Sequence, residues 1–545
     1  MNRKELPKIA VDPDKARVAV ALACQKLEAS YPRLDPESYA TFSKTGDRVS
    51  YEEPYFQRRE LLLTFAIAQW LQPRQEFLQK VEEGIGLLLA EPSWCLPAHN
   101  TYVRDAPVLP FPDPDRPVID LFAAETGATL AIIQSLVSLS GPRKERLEAE
   151  LEKRIKVPYC STHFWWMGDG DEPMCNWSPW CTSNVLLVFL LTGGAIDERK
   201  LADKAVYTLQ CFLKDLGEDG GYPEGVEYWT HAALPLVVSL ALLKEMGCEE
   251  AAEMESSTKV QALLDFPLAM HAEGPWYLNW GDCSAKAKVG DVRILWGGRC
   301  FPCGETPTTD GMHDGLIRYL SIGKYQAHGK PKPSLPYYHY SSLGLSVWHK
   351  EGWVLGVRAG SNGFSHQHND LGSLTLYWKG KPWLVDVGVE TYIGKTFSPE
   401  RYTIWTMRSP WHNTVNPRDG EQKSDGKAQA IRSDGHGFEG VFDGAYPRQW
   451  HWRRAFSIGR EVSVEDTCPQ GSVLTLISWT KPEAEGRLIR YPGLGLIRFR
   501  EPVAVTLEEI PVTDARLHLA WKGSLWRLLV TGGPFSWVIE PTDGR

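Results

Sequence analysis

Near residue 330 the hydrophobic pattern changes period, and that change limits the architecture more than any other feature of the chain. Before it, apolar residues recur at helical spacing. In Tyr55 to Leu71, a run without Gly and Pro, Leu61, Phe65 and Ala68 fall at i, i+4 and i+7. Pro73 precedes the next such run, Gln75 to Ala90, as expected at a helix start. Further helices are expected over Val118 to Leu139, Lys144 to Ile155, Ser183 to Leu191, Asp197 to Leu216, His231 to Met246 and Thr258 to His271. Short breaks separate them, which implies an α/α bundle, solenoid or toroid. Lys330 to Pro336 carries three prolines and reads as a linker. Beyond it, short runs rich in Val, Leu, Trp and Tyr alternate with turn residues. They cover Leu343 to Val357, Leu371 to Val387, Trp450 to Val464, Ser472 to Trp479, Leu488 to Val505 and Ala515 to Ile539. Trp378-Lys-Gly-Lys-Pro-Trp383 reads as a hairpin turn. Such strands imply a sandwich or barrel. A chain of 545 residues exceeds one ordinary core, so two domains are expected, 1–330 helical and 331–545 antiparallel β.

Charge and composition exclude some functions. With 59 basic and 68 acidic residues the net charge is −9, without the basic footprint of a nucleic-acid binder. A local basic cleft for a small anion stays open. Apolar stretches such as Leu61 to Ala68 are too short to cross a bilayer, and Met1 to Asp12 lacks a signal-length apolar run. No membrane partner and a cytoplasmic location are therefore expected. Eleven scattered cysteines argue against a complete disulfide framework. The lone Cys300-x-x-Cys303 is read as a turn with reduced thiols. The 22 tryptophans suit a carbohydrate cleft, although most such rings serve as core.

The polar residues gather in four clusters. The densest is Ser361-Asn-Gly-Phe-Ser-His366-Gln-His368-Asn-Asp370, followed by Leu384-Val-Asp386-Val-Gly388 and Trp411-His412-Asn413-Thr414. Two histidines one residue apart, a later Asp and a third His form an N/N/O set suited to zinc. Asp386 among apolar neighbours needs a partner, and a metal supplies one. A hydrogen-bonded His/Asp network without metal is the alternative. The second cluster, Gly220-Gly-Tyr222-Pro-Glu224-Gly-Val-Glu-Tyr228, reads as a loop before a helix near His231. The third, Cys175-Asn176-Trp177-Ser-Pro-Trp180, precedes an apolar helix that Asn176 is placed to cap. The fourth is Trp94-Cys-Leu-Pro-Ala-His99-Asn100, a loop after a helix.

Together these clusters resemble the heparinase II/III-like polysaccharide lyases and the related oligoalginate lyases. The most specific part runs from Asn362 to Thr414, and the Gly-Tyr-Pro-Glu-Gly and Trp-x-x-Pro-x-His segments match in the helical half. The resemblance implies an α+β multidomain fold, an N-terminal (α/α) toroid holding the cleft and a C-terminal antiparallel β-sandwich. It implies β-elimination beside a uronic acid, leaving 4,5-unsaturated ends. The C5 proton is poorly acidic, so the carboxylate must be bound and its developing charge stabilised. A base must take the proton and an acid must protonate the leaving O4. By resemblance Asn176 contacts the carboxylate and Tyr228 is the acid, alone or doubling as base. His366 is the second base or a carboxylate partner. Which of the two takes the C5 proton depends on the stereochemistry there and stays open. Tyr222 is the fallback for Tyr228. Trp94, His99, Asn100, Tyr222 and Glu224 match segments lining the cleft. Arg401 and Arg408, near the metal segment, are candidates for meeting an anionic sugar, with salt-bridge roles equally open.

By the same resemblance structural zinc falls on His368, Asp386 and His412 and holds the loop presenting His366. In a regular strand residues 366 and 368 would face one side, so a turn is expected there. The implied partner is an anionic uronic-acid oligosaccharide or polysaccharide; the lack of a signal-length run favours short imported chains, with cleavage expected from their ends. Three other readings stay open: a uronyl C5-epimerase, a toroid glycoside hydrolase and a non-catalytic glycan-binding protein. Hydrolases centre on paired carboxylic acids, whereas the notable groups here are Tyr, His and Asn. The glycan, its sulfation and the oligomeric state are left open.

Overall fold

The computed structural model describes residues 3–6, 8–104, 106–168, 173–194, 196–287, 314–323, 334–364 and 366–542. Helices come first: α1 (Pro13–Gln25), α2 (Pro36–Thr45), α3 (Val49–Leu71), α4 (Gln75–Ala90), α5 (Leu121–Leu136), α6 (Gly141–Leu151), α7 (Val157–Ser161), α8 (Trp177–Thr192), α9 (Glu198–Asp215), α10 (Gly225–Glu245), α11 (Glu249–Ser256), α12 (Thr258–Met270) and α13 (Gly315–Ser321). Several begin earlier than the sequence pattern suggests. The α3 helix starts at Val49 and carries Pro54 near its beginning, and α8 starts at Trp177 with Pro179 in its first turn. Pro179, in a first turn, gives up an N–H that has no intrahelical acceptor, so α8 begins through it. Pro54, the sixth residue of α3, removes the bond its N–H would make to the Ser50 carbonyl, and the helix continues through it. The α10 helix likewise starts at Gly225, which puts Tyr228 in a helical first turn instead of a loop.

The α10 helix spans 21 residues and is apolar enough to cross a membrane by composition, but 67% of its most apolar window is buried inside the protein. Leu236, Val238, Leu240 and Leu243 lie in the helical core with Val185, Leu186 and Val188 of α8. Its apolarity on all sides is that of a central helix. Nine cysteines among the described residues are free thiols. Cys300, Cys303 and most of the expected linker lie outside the described residues.

Strands follow. A hairpin of β1 (His271–Glu273) and β2 (Trp276–Tyr277) lies between α12 and α13. Then β3 (Tyr337–Tyr340), β4 (Leu345–Lys350), β5 (Trp353–Arg358), β6 (Leu374–Trp378) and β7 (Lys381–Leu384) make a five-stranded antiparallel sheet in chain order. The rest are β8 (Val415–Asn416), β9 (Ala430–Asp434), β10 (Gly437–Val441), β11 (Arg453–Ile458), β12 (Val462–Thr467), β13 (Ser472–Ser478), β14 (Glu483–Glu485), β15 (Leu488–Tyr491), β16 (Gly495–Phe499), β17 (Ala504–Pro511), β18 (Ser524–Gly532) and β19 (Phe535–Pro541). They form an eight-stranded sheet, β14-β15-β16-β19-β12-β11-β10-β9, and a four-stranded sheet, β17-β18-β13-β8. One departure from the strand pattern is α14 (Ala515–Ala520), where Asp514 caps the amides of Arg516 and Leu517.

The five-stranded sheet is buried on both faces, which explains its nearly unbroken apolar strands. Val347, Val354 and Tyr377 join the helical core. Trp348, Trp353, Leu355 and Leu376 point the other way, into a core shared with Phe456 and Val464 of the eight-stranded sheet and Leu474 and Leu528 of the four-stranded one. Side chains alternate sides along a strand, so one sheet serves two cores. The long β7–β8 connection crosses the edge of this layer as short 3₁₀ turns and carries residues of the site.

Candidate active site

The N-terminal ends of three helices converge. Trp180, in the first turn of α8, stacks on His231 of α10 with centroids 4.8 Å apart and meets Phe122 of α5 edge-on at 5.7 Å. Helix N-termini carry partial positive charge, so this end of the helical layer favours an anion. Asn176 precedes α8 but does not cap it: its backbone is already helical and its side chain makes no capping bond. The expected cap is therefore corrected, and the carboxamide is left for another partner. Asn176 is 5% exposed.

Tyr228 lies one turn before His231, with its ring 6.5 Å away. Its hydroxyl is hydrogen-bonded to that of Tyr392 from the β7–β8 connection. Its ring is 4.6 Å from that of His366. Burial pushes the Tyr228 phenol above its usual pKa, opposed by the nearby Arg516 guanidinium. Arg516, from α14, sits 4.4 Å over the Tyr392 ring and donates to the Asp282 carbonyl at 3.1 Å. The Asp514 carboxylate accepts the Thr391 amide at 3.1 Å and so anchors the loop bearing Tyr392.

His366 has φ of 58°, a left-handed conformation uncommon outside glycine. This is the turn that residues 366 and 368 require if they are to serve different sites. Its Nδ1 donates to Asp282 Oδ2 at 2.9 Å, and its Nε2 is 3.7 Å from Glu224 Oε1. Burial lowers the imidazole pKa, but the hydrogen bond to Asp282 and the charges of Glu224 and Asp282 outweigh it, and the net direction is upward. Glu224 Oε2 accepts the Tyr222 hydroxyl at 2.6 Å. Arg401 donates to Asp282 Oδ1 at 2.6 Å and is 9% exposed, so it neutralises a buried carboxylate and does not face a sugar.

The structure therefore gathers Tyr222, Glu224, Tyr228 and His366. His99 and Asn176 are linked to them only through rings of α8: His99 meets Trp177, and Trp180 meets His231 near Tyr228. His99 Nδ1 bonds Asp120 Oδ2 at 2.7 Å, and its ring meets Trp177 at 4.8 Å. Three expected sugar contacts sit elsewhere. Trp94 is 1% exposed, with its indole N–H on the Leu88 carbonyl, and is a core ring. The Asn100 amide is spent on the Leu109 and Phe111 carbonyls, which holds the following loop. Arg408 makes a two-pronged pair with Glu421 at 2.9 and 2.8 Å. Asp282, Tyr392 and Arg516 were missed. Asp282 had a faint signal, an acidic residue after glycine between Trp280 and Cys283; Tyr392 and Arg516 had none.

His368, Asp386 and His412 are all buried, and one donor atom from each lies within 4.8 Å of the others. His368 Nδ1 and His412 Nε2 are buried without a hydrogen-bond partner. Buried polar atoms are nearly always satisfied, so two such nitrogens beside a carboxylate fit a metal ion. Burial lowers the His368 pKa, which keeps the ring in its neutral, ligating form. His412 Nδ1 also approaches Asp386 Oδ2 at 2.7 Å, so the alternative hydrogen-bonded network accounts for that pair but leaves the two free nitrogens unexplained.

Residues 332–471 match the sequence model of the heparinase II/III-like C-terminal domain. This segment of the chain is heparinase II/III-like. No curated protein sequence matches the chain. Its fold is similar to that of heparinase III, with a TM-score of 0.65 at 12% identity, over 100% of this chain and 88% of that one. A mutant of the heparan sulfate lyase from Pedobacter heparinus aligns over 98% of this chain and 89% of its own, with a TM-score of 0.60 and 13% identity. The chondroitin AC lyase of Streptomyces coelicolor A3, solved with chondroitin sulphate, gives 0.62 at 11% identity, over 100% and 81%. At such identities the shared feature is the fold. The heparinase-like segment contains His366, His368, Asp386 and His412.

Proposed function

We propose that this protein is a polysaccharide lyase that cleaves uronic-acid-containing, glycosaminoglycan-like glycans by β-elimination, working from the ends of short chains. In this reading residues 1–330 form the toroid and 331–545 the β-sandwich, with the cleft at their junction. The observation that carries it is the close approach of the Tyr228 phenol and the His366 imidazole, one from each half; the Asn176 carboxamide, which makes no capping bond, is available to the uronate.

The chemistry follows from these groups. The C5–H bond breaks, its proton passes to His366 Nε2, and its electron pair becomes the C4–C5 double bond. The C4–O4 bond breaks, and O4 leaves with a proton. Asn176 and the three helix N-termini stabilise the charge that develops on the uronate as C5 is deprotonated. Asp282 holds the proton of His366 on Nδ1, so Nε2 is the nitrogen available to the substrate. The Tyr228 hydroxyl, kept protonated by burial, supplies the proton for O4. Tyr392 and Arg516 fix that hydroxyl and temper the charge it acquires. His368, Asp386 and His412 would hold zinc, which would serve as a structural cross-link of the loop segments they come from.

The test is to incubate the purified protein with heparan, hyaluronan, chondroitin, alginate and glucuronan oligosaccharides and follow the ultraviolet absorbance of the conjugated uronate. A rise with one of them, with small products released from the first turnovers, is the expected result. C5 inversion or saturated products by NMR would replace the proposal with an epimerase or a hydrolase. Binding of these glycans with no turnover would replace it with a glycan-binding protein.

A further inference from the structure

We propose that Asp282 is a positioning residue that couples the His368–Asp386–His412 set to His366, so that occupation of the metal set governs where the cleft imidazole stands. The proposal rests on the lyase reading above.

Asp282 follows the β1–β2 hairpin of the helical part and is fully buried. Its two carboxylate oxygens are divided between two histidines. Oδ2 accepts from His366 Nδ1 at 2.9 Å, and Oδ1 accepts from His368 Nε2 at 3.0 Å. Arg401 adds the counter-charge at 2.6 Å on Oδ1. The main chain is engaged as well. The Asp282 amide donates to the His366 carbonyl at 2.9 Å, and its own carbonyl accepts from Arg516. Gly281, at φ of 63°, lies so close that a Cβ there would stand 2.3 Å from the His366 carbonyl oxygen. A side chain at 281 would push the two segments apart.

The far nitrogens then face opposite sites. His368 presents its unpartnered Nδ1 to the metal set, and His366 presents Nε2 toward Glu224 and the cleft. One buried carboxylate is thus the outer partner of a metal-ligating imidazole and the orienter of a catalytic one. Such partners set the tautomer and ring direction of a ligating histidine. His366 needs this support for a second reason. A non-glycine residue at φ of 58° is strained, and strain of this kind persists only where the surroundings over-determine the backbone. When His368 is released from the metal, its ring is free to turn, Oδ1 loses a fixed donor, and the carboxylate no longer holds the His366 turn in one place.

The experiment uses hydrogen exchange at the backbone amides of residues 366–370, with Zn²⁺ as the probe, and needs no substrate. In wild type, chelating the metal speeds exchange there, and re-adding Zn²⁺ restores protection. In Asp282→Asn, one histidine loses its acceptor while side-chain size is kept. Exchange is then fast with Zn²⁺ present and changes little on chelation. With an active glycan, kcat of the zinc-loaded variant falls about 10- to 100-fold, the range typical of lost outer partners, while KM changes little. Wild-type protein that binds no Zn²⁺, or whose 366–370 exchange ignores metal removal, would overturn the proposal even if Asp282→Asn fails to fold. So would a folded Asp282→Asn with wild-type exchange and kcat. Absence of turnover in wild type would instead count against the lyase reading, because the exchange comparison stands without it.

Discussion

Tyr228→Phe separates the chemical role of the phenol from its packing. The ring keeps its contacts with His366 and His231, and only the hydroxyl and its bond to Tyr392 are lost. If that hydroxyl protonates O4, its removal takes away general acid catalysis, worth about 10²- to 10⁴-fold. At about 1.4 kcal/mol per decade this raises the barrier by roughly 3–5 kcal/mol. The folding cost is smaller. One side-chain hydrogen bond contributes about 1 kcal/mol. Initial rates from uronate absorbance and a calorimetric melt, run on the same samples, give the two quantities. The expected pattern is a kcat at least about a hundredfold lower, KM little changed and a melting temperature within a few degrees of wild type. A kcat within about threefold of wild type would refute the acid role, since no positioned general acid contributes so little. Tyr222→Phe is the comparison. Its hydroxyl is committed to Glu224 in the interior, so the rate should fall less than in Tyr228→Phe; the reverse order would move the acid to Tyr222.

His368→Ala removes one of three clustered ligands, so bound zinc should drop more than about tenfold at fixed free metal, and the melting temperature should drop with it, because metal binding is linked to folding. Full occupancy by metal analysis would remove His368 from the set. Alkali should destabilise the protein through its interior phenols. Burial raises the pKa of Tyr55 and Tyr222 well above the free value of 10.0. Above pH about 10 the unfolded chain releases these protons while the native state keeps them, so stability is full below that pH and declines above it, by about 1.4 kcal/mol per pH unit for each such group. Urea melts at about pH 9 and about pH 11 would show it; equal midpoints would mean these phenols ionise without unfolding.

The sequence by itself determined the elements and most of the chemical vocabulary. The shift from helical spacing to short apolar strands near residue 330 is local information, since burial of one face writes itself at fixed intervals along the chain. The same is true of the His366 to Asp370 run, Asp386 and His412, which stand out as polar residues among apolar ones. Helices start earlier than the pattern indicates at Val49, Trp177 and Gly225, where α3 runs through Pro54, α8 takes Pro179 into its first turn and α10 opens on a glycine. Trp94 and Asn100 fall in segments expected to line the cleft, yet their polar atoms are spent inside the fold, which the pattern around a residue does not reveal. What only the tertiary structure decided is pairing. Tyr228 meets Tyr392 across 164 residues, and His366 and His368 meet Asp282 across 84 and 86. Nothing periodic connects positions so far apart; the chain path brings them together, and it is set by how the five-stranded sheet lies against the helices. The left-handed turn at His366 belongs to the same class, since its strain is held by contacts from Gly281 and Asp282 in a different part of the chain.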